Sequence, residues 1–208
     1  MNPLSPLPES HWTQVLLDFF ERFQPLTDTE REALRAESDI RILPKGTLLL
    51  KEGQACQTCF FVLKGCVRQY QLQDGEEITS AFFLEEEVVA LLGPPGEVPV
   101  SNCYWECTED CVLAAGTPEQ ETDMYARFPK FESISRQIVE IGFGRQQAWQ
   151  ASFLTQSPEQ RYLQLLDTRP ELVQRVPQYQ LASYIGVKPE SLSRIRKRMN
   201  DRNKSSAR

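Results

Sequence analysis

The residues with the clearest chemical potential lie in the segment 178–198, whose sequence is QYQLASYIGVKPESLSRIRKR. A small side chain at Ala182 and a glycine at Gly186 would let two short helices cross closely through a tight turn. Apolar residues at the matching offsets would hold the two helices together: Leu181, Ile185, Val187, Leu192 and Ile195. The segment therefore predicts a helix-turn-helix.

The second helix of this motif is predicted to run from Pro189 to about Asn200. Pro189 suits a first helical turn, because the N–H that proline lacks would have no helical partner there. Side chains on such a helix can reach base edges and phosphates in a DNA major groove. The candidate DNA-binding residues are Lys188, Pro189, Glu190, Ser191, Ser193, Arg194, Lys197 and Arg198. The alternative is an ordinary helical hairpin with a basic, solvated face.

Charge is distributed unevenly along the chain. The 208 residues include 23 Lys and Arg and 29 Asp and Glu, which gives a formal charge of −6. Residues 175–208 nevertheless contain nine basic and two acidic side chains, a local charge of +7, and the remainder carries −13. This asymmetry is typical of a protein in which one small basic domain approaches a polyanion while an acidic body stays clear of it.

Six cysteines are the other candidates for chemistry. Cys56 and Cys59 form a CxxC pair, and Cys103, Cys107 and Cys111 have spacings at which thiolates can bind a metal. An activated CxxC normally lies at a helix N-terminus, whereas strand-forming residues follow Cys59. Cys103 and Cys107 would share one face of a strand as small apolar residues. We therefore expect structural thiols, with no metal or cofactor, and keep a thiol or metal response as the alternative.

The elements that must position these residues differ along the chain. Helical spacing over 11–23 predicts a first helix, and Thr27 with Glu30 forms a capping box that opens a second. From 40 to about 117, short apolar runs alternate with glycine-containing turns, including an Asp-Gly hairpin signal at 74–75. This texture predicts an antiparallel sandwich or roll.

Residues 118 to about 156 are predicted to form one long helix. Apolar positions follow alternating steps of three and four, as in a coiled-coil seam. The expected dimer-interface residues are Phe131, Ile134, Ile138, Ile141, Arg145 and Ala148. A second apolar stripe consists of Val139, Phe143, Phe153 and Leu154. The alternative is one broad core face in a monomer. After this helix, the triplet Ser-Pro-Glu at 157–159 predicts the start of another helix.

Length and composition bound the function classes. A chain of 208 residues can hold one good core and a small second domain. Its longest aliphatic run, 88–92, is far shorter than a membrane span. The opening MNPLSPLPES does not match a secretory signal, so we expect a cytoplasmic location with reduced thiols. No Ser-His-Asp set, Walker loop or paired-carboxylate arrangement stands out, and no enzyme activity is predicted.

The order of β-roll, long helix and C-terminal helix-turn-helix resembles the cyclic-AMP receptor/FNR (Crp/Fnr) superfamily of bacterial transcription regulators. The likeness covers nearly the whole chain and is most specific in VPQYQLASYIGVKPESLSRIRKRM; KGTLLLKEG, FFVLKGCVR and DGEE resemble the β-roll turns of the family. The resemblance implies an α+β protein with three parts. These are a cyclic-nucleotide-binding-like antiparallel β-roll with N-terminal helices (1–118), a dimerisation helix (119–156) and a winged helix-turn-helix domain (157–208).

The resemblance also implies partners and base-contacting positions. It implies a homodimer that places two recognition helices about 34 Å apart in successive major grooves of a palindromic operator, and RNA polymerase as a further partner. By motif position, Glu190, Ser191 and Arg194 match residues that commonly contact bases in the family. Pro189 stands where many members have a base-contacting arginine, which changes the expected half-site. The chain is short after the recognition helix, so a long wing strand is not expected there.

The segment that would hold a cyclic nucleotide departs from the family pattern. Family members hold the cyclic phosphate with a Gly-Glu segment and a later arginine, but between Arg68 and Arg127 this chain has thirteen acidic residues and no Lys or Arg. Pro94, Pro95 and Pro99 also remove backbone donors. Burying a phosphodiester without such partners is unfavourable. We expect a roll that binds no cyclic nucleotide and takes another small ligand or none; the alternative is that Arg68 turns into the site.

Overall fold

The computed structural model describes residues 7–94 and 96–206, with side chains described as far as Arg202. Pro95, one of the three prolines of the expected ligand loop, lies outside the described residues. The chain divides into two compact units. The first contains the N-terminal chain as far as Gln69 and the segment Phe82–Gly144. The second contains Tyr70–Ala81 and the chain from Arg145 onward.

Two helices precede the sheets: α1 (Glu9–Glu21) and α2 (Asp28–Glu37). The predicted capping box is confirmed at the start of α2. The backbone N–H of Thr27 donates to Oε2 of Glu30 at 2.7 Å, and the backbone N–H of Glu30 donates to Oγ1 of Thr27 at 3.3 Å. Helix α1 buries a strongly apolar face in the first unit, formed by Trp12, Leu16, Leu17 and Phe19.

Eight strands follow, as the glycine-punctuated texture predicts. They are β1 (Asp39–Leu43), β2 (Leu48–Leu50), β3 (Cys59–Lys64), β4 (Val67–Gln73), β5 (Glu76–Phe83), β6 (Val88–Val89), β7 (Tyr104–Cys107) and β8 (Cys111–Gly116). Two four-stranded sheets result, in the orders β1-β8-β3-β6 and β2-β7-β4-β5. The core of the first unit includes Val62, Trp105 and Leu113, which are fully buried. The expected antiparallel roll is confirmed.

The hairpin between β4 and β5 turns at Asp74 and Gly75. Both residues have positive φ, 52° and 82°, as a two-residue hairpin turn with the right-handed strand twist requires. The Asp-Gly signal of the sequence is therefore confirmed. The outer part of this hairpin, Tyr70–Ala81, belongs to the second compact unit.

The long helix predicted for 118–156 is interrupted. The structure has α3 (Pro118–Arg127) and α4 (Pro129–Thr155), separated by Phe128 with φ −136° and ψ 81°. Pro129 explains the break, because proline disfavours the helical conformation of the residue before it. The segment that can act as one rigid rod therefore begins at Pro129.

The first half of α4 corrects part of the expected dimer seam. Phe131, Ile134 and Ile138 are 2%, 0% and 8% exposed. They pack in the first unit in a cluster with Leu17 and other apolar side chains. These three residues belong to the core of their own subunit, because the aromatic face of α1 covers them. The other three expected interface residues, Ile141, Arg145 and Ala148, are exposed.

Four helices complete the second unit. They are α5 (Pro158–Thr168), α6 (Pro170–Arg175), α7 (Gln178–Tyr184) and α8 (Pro189–Ser206). Ser157 caps α5 by accepting a hydrogen bond from the backbone N–H of Gln160 at 3.3 Å. Helix α8 is longer than predicted, and within the described chain no strand follows it. No helix among the described residues combines the length and apolar character needed to cross a membrane.

Candidate nucleic-acid interface

The turn between α7 and α8 depends on Gly186. Its φ is +76°, a left-handed conformation that side chains with a Cβ adopt only with strain. The backbone N–H of Gly186 donates to Ser183 O at 3.0 Å, and that of Val187 donates to Ala182 O at 2.9 Å. This is the paired hydrogen bonding of a Schellman ending. A Cβ at Gly186 would also lie 2.9 Å from Cε1 of Phe153, so conformation and space both require glycine.

A buried arginine of α5 stabilises this turn through hydrogen bonds. Arg161 of α5 is 6% exposed, and its Nε and Nη2 donate to Ile185 O at 3.1 and 2.9 Å. Its Nη1 donates to Gln156 O at 2.7 Å, and the guanidinium carbon lies 4.4 Å from the centre of the Phe153 ring. Burial lowers the pKa of Arg161. The residue satisfies carbonyls that helix ends leave without partners, a role that the sequence analysis missed.

An aromatic stack fixes α7 against the last turns of α4. The rings of Trp149 and Tyr184 are 4.4 Å apart between centroids and tilted by 22°. Phe153 meets Trp149 edge to face at 5.7 Å. Offset-stacked and edge-to-face rings are the favourable geometries for aromatic side chains. The position of α7 is therefore set by three rings, of which the sequence analysis singled out only Phe153, as part of an apolar stripe.

The apolar contact between α7 and α8 is confirmed. The predicted scaffold residues Leu181, Ala182, Ile185, Leu192 and Ile195 are between 0% and 4% exposed. Val187, the remaining predicted contact residue, is half-buried. A sealed contact of this kind fixes the angle between the two helices, because protein interiors pack closely and tolerate little movement. The outward face of α8 is thus presented by a rigid support.

The exposed face of α8 gathers most of the candidate residues. With 3.6 residues per turn, positions 190, 194 and 197 recur on one side of the helix. Arg194, Lys197 and Glu190 are exposed there, and Ser191 is half-buried. The remaining exposed candidates are Lys188, Pro189, Ser193 and Arg198. The predicted DNA-binding residues therefore lie on one accessible helix, except Lys188, which immediately precedes it.

Two of these side chains bond within the helix. Nη2 of Arg194 donates to Oγ of Ser191 at 3.0 Å, which orients the guanidinium. The hydroxyl of Ser193 donates to the carbonyl of Pro189 at 3.1 Å, which leaves its oxygen available to accept. A preoriented guanidinium loses less side-chain freedom when it binds.

The flank of α8 carries an ion-pair network that the sequence did not reveal. Glu159 of α5 accepts from Nη2 of Arg198 at 3.1 Å and from Nη1 of Arg202 at 2.7 Å. Arg198 and Arg202 remain 59% and 70% exposed. One carboxylate thus partly neutralises two cations beside the exposed face of α8. Arg202 was missed because α8 was predicted to end near Asn200.

The hairpin tip of the second unit meets α7 through one serine. Oγ of Ser183 donates to Glu77 O at 3.1 Å and accepts from the backbone N–H of Thr79 at 2.9 Å. A single hydroxyl therefore continues the hydrogen bonding of β5 into the helix-turn-helix. No local pattern indicates this contact, because it joins residues more than a hundred positions apart.

The CxxC pair, Cys56 and Cys59, has the surroundings of structural thiols. No disulfide joins the six cysteines, all of which lie in the described chain, and five of them are buried. Sγ of Cys59 donates to Oε1 of Glu121 at 2.8 Å. Burial, together with this carboxylate, raises the pKa of Cys59, and burial raises that of Cys56. A raised pKa disfavours the thiolate that acts as nucleophile or ligand. No cluster of three or more His, Cys, Asp or Glu suited to a metal occurs among the described residues.

The segment expected to hold a cyclic phosphate, residues 69–126, contains no Lys or Arg. Arg68, the alternative phosphate ligand, is 1% exposed. Beyond it, the sequence contains no further Lys or Arg before Arg127. The segment that follows Arg68 therefore supplies no positive side chain to an anion.

Comparison with known proteins places these features in context. Residues 40–126 match the family model of the cyclic nucleotide-binding domain, and no curated protein sequence matches the chain. Among solved structures, the c-di-GMP responsive global regulator CLP of Xanthomonas campestris is 19% identical to this chain, with a TM-score of 0.67. The alignment covers 85% of this chain and 93% of CLP.

Two further solved structures share the fold. FixK2 of Bradyrhizobium japonicum is 17% identical with a TM-score of 0.63, covering 80% of this chain and 86% of its own. A transcriptional regulator assigned to the Crp/Fnr family from Eubacterium rectale is 15% identical with a TM-score of 0.64, covering 89% and 88%. At these identities, the likeness demonstrates a common fold across both compact units.

Proposed function

From a chain that contains a cyclic nucleotide-binding domain and has the fold of the Crp/Fnr transcription regulators, we propose a sequence-specific DNA-binding regulator that acts as a homodimer. The observation that carries the proposal is the exposed cationic face of α8, supported from behind by a completely buried scaffold. The function is binding, with no catalytic step. Because its target is DNA, the protein works in the bacterial cytoplasm, and RNA polymerase stays a prediction of the resemblance.

The side chains of α8 match distinct features of a major groove. Arg194, held by Ser191, can donate two hydrogen bonds to N7 and O6 of a guanine, and Glu190 can accept from N4 of a cytosine. Lys197, one turn further along the exposed face, is suited to a phosphate contact. Arg198 and Arg202 lie at the flank, where Glu159 reduces their positive charge. Sequence preference would therefore arise mainly from the first two turns of α8.

The exposed second half of α4 is proposed to bind a second copy of the chain. Ile141 is 50% exposed, and Gly144, Ala148 and Ala151 are exposed at the following steps of three, four and three. This is heptad spacing with small residues, which let two helices approach closely. A Cβ at Gly144 would meet no atom within 4 Å. The proposed seam keeps Ile141 and Ala148 from the sequence prediction, takes Gly144 in place of Arg145 and omits the three buried members.

The roll is proposed to respond to something other than a cyclic nucleotide. Arg68 is buried, and the acidic stretch after it supplies no cation for a cyclic phosphate. An uncompensated phosphodiester inside protein would be strongly disfavoured. Titration with cyclic AMP should therefore produce no saturable heat in calorimetry, and a stoichiometric heat would contradict this part of the proposal.

Binding to duplexes selected from a random pool tests the DNA-binding role. We expect Arg194→Ala to lose about 1–3 kcal/mol and to relax specificity at one base position. Lys197→Ala should instead weaken all duplexes similarly and lower the slope of log affinity against log salt by about one. Arg136→Ala, which removes an exposed arginine from α4, is the charge-matched control and should change neither. Unaltered specificity in Arg194→Ala would refute base contact by that residue.

A further inference from the structure

The first compact unit contains a partly open cavity of about 350 Å³. It lies between the facing sides of α1, α3 and α4 and the strands β3, β6 and β8. Apolar side chains form most of its wall, among them Leu16, Phe20, Phe61, Met124, Phe131 and Ile138. The volume falls in the range of small-molecule sites. A concave and mostly apolar space of this kind is therefore a candidate for an occupant.

Polar groups gather at one part of this wall. Glu121 and Tyr125 lie one turn apart on α3, and Cys59 donates its thiol hydrogen to Glu121 at 2.8 Å. Tyr125 is hydrogen-bonded to Ser135 of α4, and burial raises the pKa of Tyr125, so the phenol stays protonated. These groups offer a carboxylate acceptor and hydroxyls to whatever enters.

The charge of the wall determines which ligands fit. No Lys, Arg or His occurs among the described side chains that line the cavity. Of its two carboxylates, Glu37 is paired with Arg127, which leaves Glu121 as the carboxylate without a cationic partner among the lining residues. An anion would therefore meet a like charge in a largely apolar space, which is strongly unfavourable. An uncharged molecule with an N–H or O–H donor would satisfy Glu121 and bury the rest of its surface.

We propose that this cavity binds an uncharged, mostly apolar small molecule whose single hydrogen-bond donor faces Glu121. Ser135, Ile138 and Val139 bring α4 directly into the wall, so the ligand would touch the helix that carries the proposed dimer seam. The regulatory meaning of the site rests on the proposed function, whereas the binding itself does not. This ligand class differs from a cyclic nucleotide, which is anionic and polar, in both charge and polarity.

Fluorescence titration of the full-length protein with N-phenyl-1-naphthylamine, an uncharged aromatic amine, tests the site. We expect saturable enhancement with one probe per chain, and at least about tenfold weaker binding of its sulfonated anionic relative 8-anilinonaphthalene-1-sulfonate. Cyclic AMP should not displace the amine. Equal affinity for the neutral and anionic probes, or no saturable binding, would overturn the proposal.

Matched variants locate the probe. Val139 lines the cavity and is 37% exposed, so Val139→Trp can fill the space without disrupting the core. It should weaken the amine about tenfold, whereas Val98→Trp, at a 53% exposed site outside the wall, should leave its affinity unchanged. Glu121→Gln should improve binding of the anionic probe, and Glu119→Gln, also on α3, should not. Equal effects within either pair would place the probe elsewhere and refute the site.

Parallel DNA binding separates this inference from the proposed function. If the protein selects DNA but does not bind the probe, the cavity site is refuted and the proposed DNA-binding function is not. Retained probe binding, with the expected response to Val139→Trp, in a protein that binds no DNA would support the site and refute only the regulatory role.

Discussion

The two compact units place their proposed functional side chains in opposite ways. In the second unit, the residues that would meet a ligand project from α8 into solvent, and the buried residues serve only as support. In the first unit, the residues that would meet a ligand line a partly open cavity between helices and strands, and most of its wall is apolar. The second unit offers cations to a polyanion, and the cavity of the first offers a carboxylate to a neutral donor.

This difference shows where each kind of recognition is encoded. A surface helix for a macromolecule needs a local pattern, with apolar positions on one side and polar ones on the other, so it is visible in a short segment. A cavity for a small molecule results from space left between elements that are far apart in sequence. DNA binding by α8 should therefore depend on a few exposed residues and on their rigid support. Ligand binding in the first unit should depend on the volume of the cavity.

The largest effect should come from the support of α8 rather than from its surface. Gly186→Ala places a Cβ in a left-handed conformation and 2.9 Å from Phe153, which should destabilise the helix-turn-helix by about 3 kcal/mol. Gly142→Ala, in open space on α4, should instead stabilise by about 0.5–1 kcal/mol. Hydrogen exchange of α7 and α8, with DNA binding and probe binding in parallel, measures both changes. If Gly186→Ala changes neither hydrogen exchange nor DNA affinity, the turn at Gly186 does not determine the position of α8.

The next largest effect should come from the proposed dimer seam, the exposed face of α4 that would contact a second copy of the chain. Ile141→Asp would require two carboxylates to be buried near the two-fold axis, so dimerisation should weaken on the order of 100-fold. Phe143→Asp makes the same kind of change at a 57% exposed residue on the opposite side of α4 and should leave the dimer intact. Sedimentation velocity over a concentration series compares the two. Equal dissociation constants would exclude Ile141 from the interface.

A smaller effect is expected from changing only the geometry of the buried cation. Arg161→Lys retains the charge but cannot donate to Ile185 O and Gln156 O together, so a buried carbonyl loses its partner. We expect a loss of about 1–3 kcal/mol in the stability of the second unit. Arg136→Lys, at an exposed site, is the matched control. Native-state hydrogen exchange of α5 and α7 measures the change in the second unit, and equal stabilities would show that the guanidinium fork is dispensable.

The smallest effect should be an increase in DNA affinity. Glu159→Gln releases Arg198 and Arg202 from pairs that are each worth about 0.2–1 kcal/mol at such exposure. Affinity for random-sequence DNA should rise about two- to fivefold, with a steeper salt dependence. Glu171→Gln removes the same charge from an exposed site on α6. If both variants gain equally, net charge rather than release of the two arginines is responsible.

The helix-turn-helix could be predicted because its determinants are local. Gly186, Leu181 and Ile195 lie within one short segment, and their spacing alone specifies the turn and the buried contact. The supporting Arg161 escaped prediction because its bonds to Ile185 span 24 positions, and an arginine in an amphipathic helix gives no sign that it is buried. The cavity left no signal at all, because its wall is assembled from four separate parts of the chain.

The expected dimer seam shows the limit of periodicity. An apolar stripe at steps of three and four fits a coiled coil and a core-facing helix equally well. Phe131, Ile134 and Ile138 proved to be core, because α1 supplies the aromatic surface that covers them. Ile141 and Ala148, further along the same stripe, are exposed. Only the tertiary arrangement decides which part of such a stripe remains for a partner.

Selection of bound duplexes from a random pool by the full-length protein tests the outward recognition by α8 most directly. We expect an enriched inverted repeat whose half-site centres are about 10–10.5 base pairs apart, with Arg194→Ala losing preference at one position in each half-site. Enrichment of no sequence, or of a single unrepeated element that Arg194→Ala selects equally well, would contradict a dimer that inserts α8 into two successive major grooves.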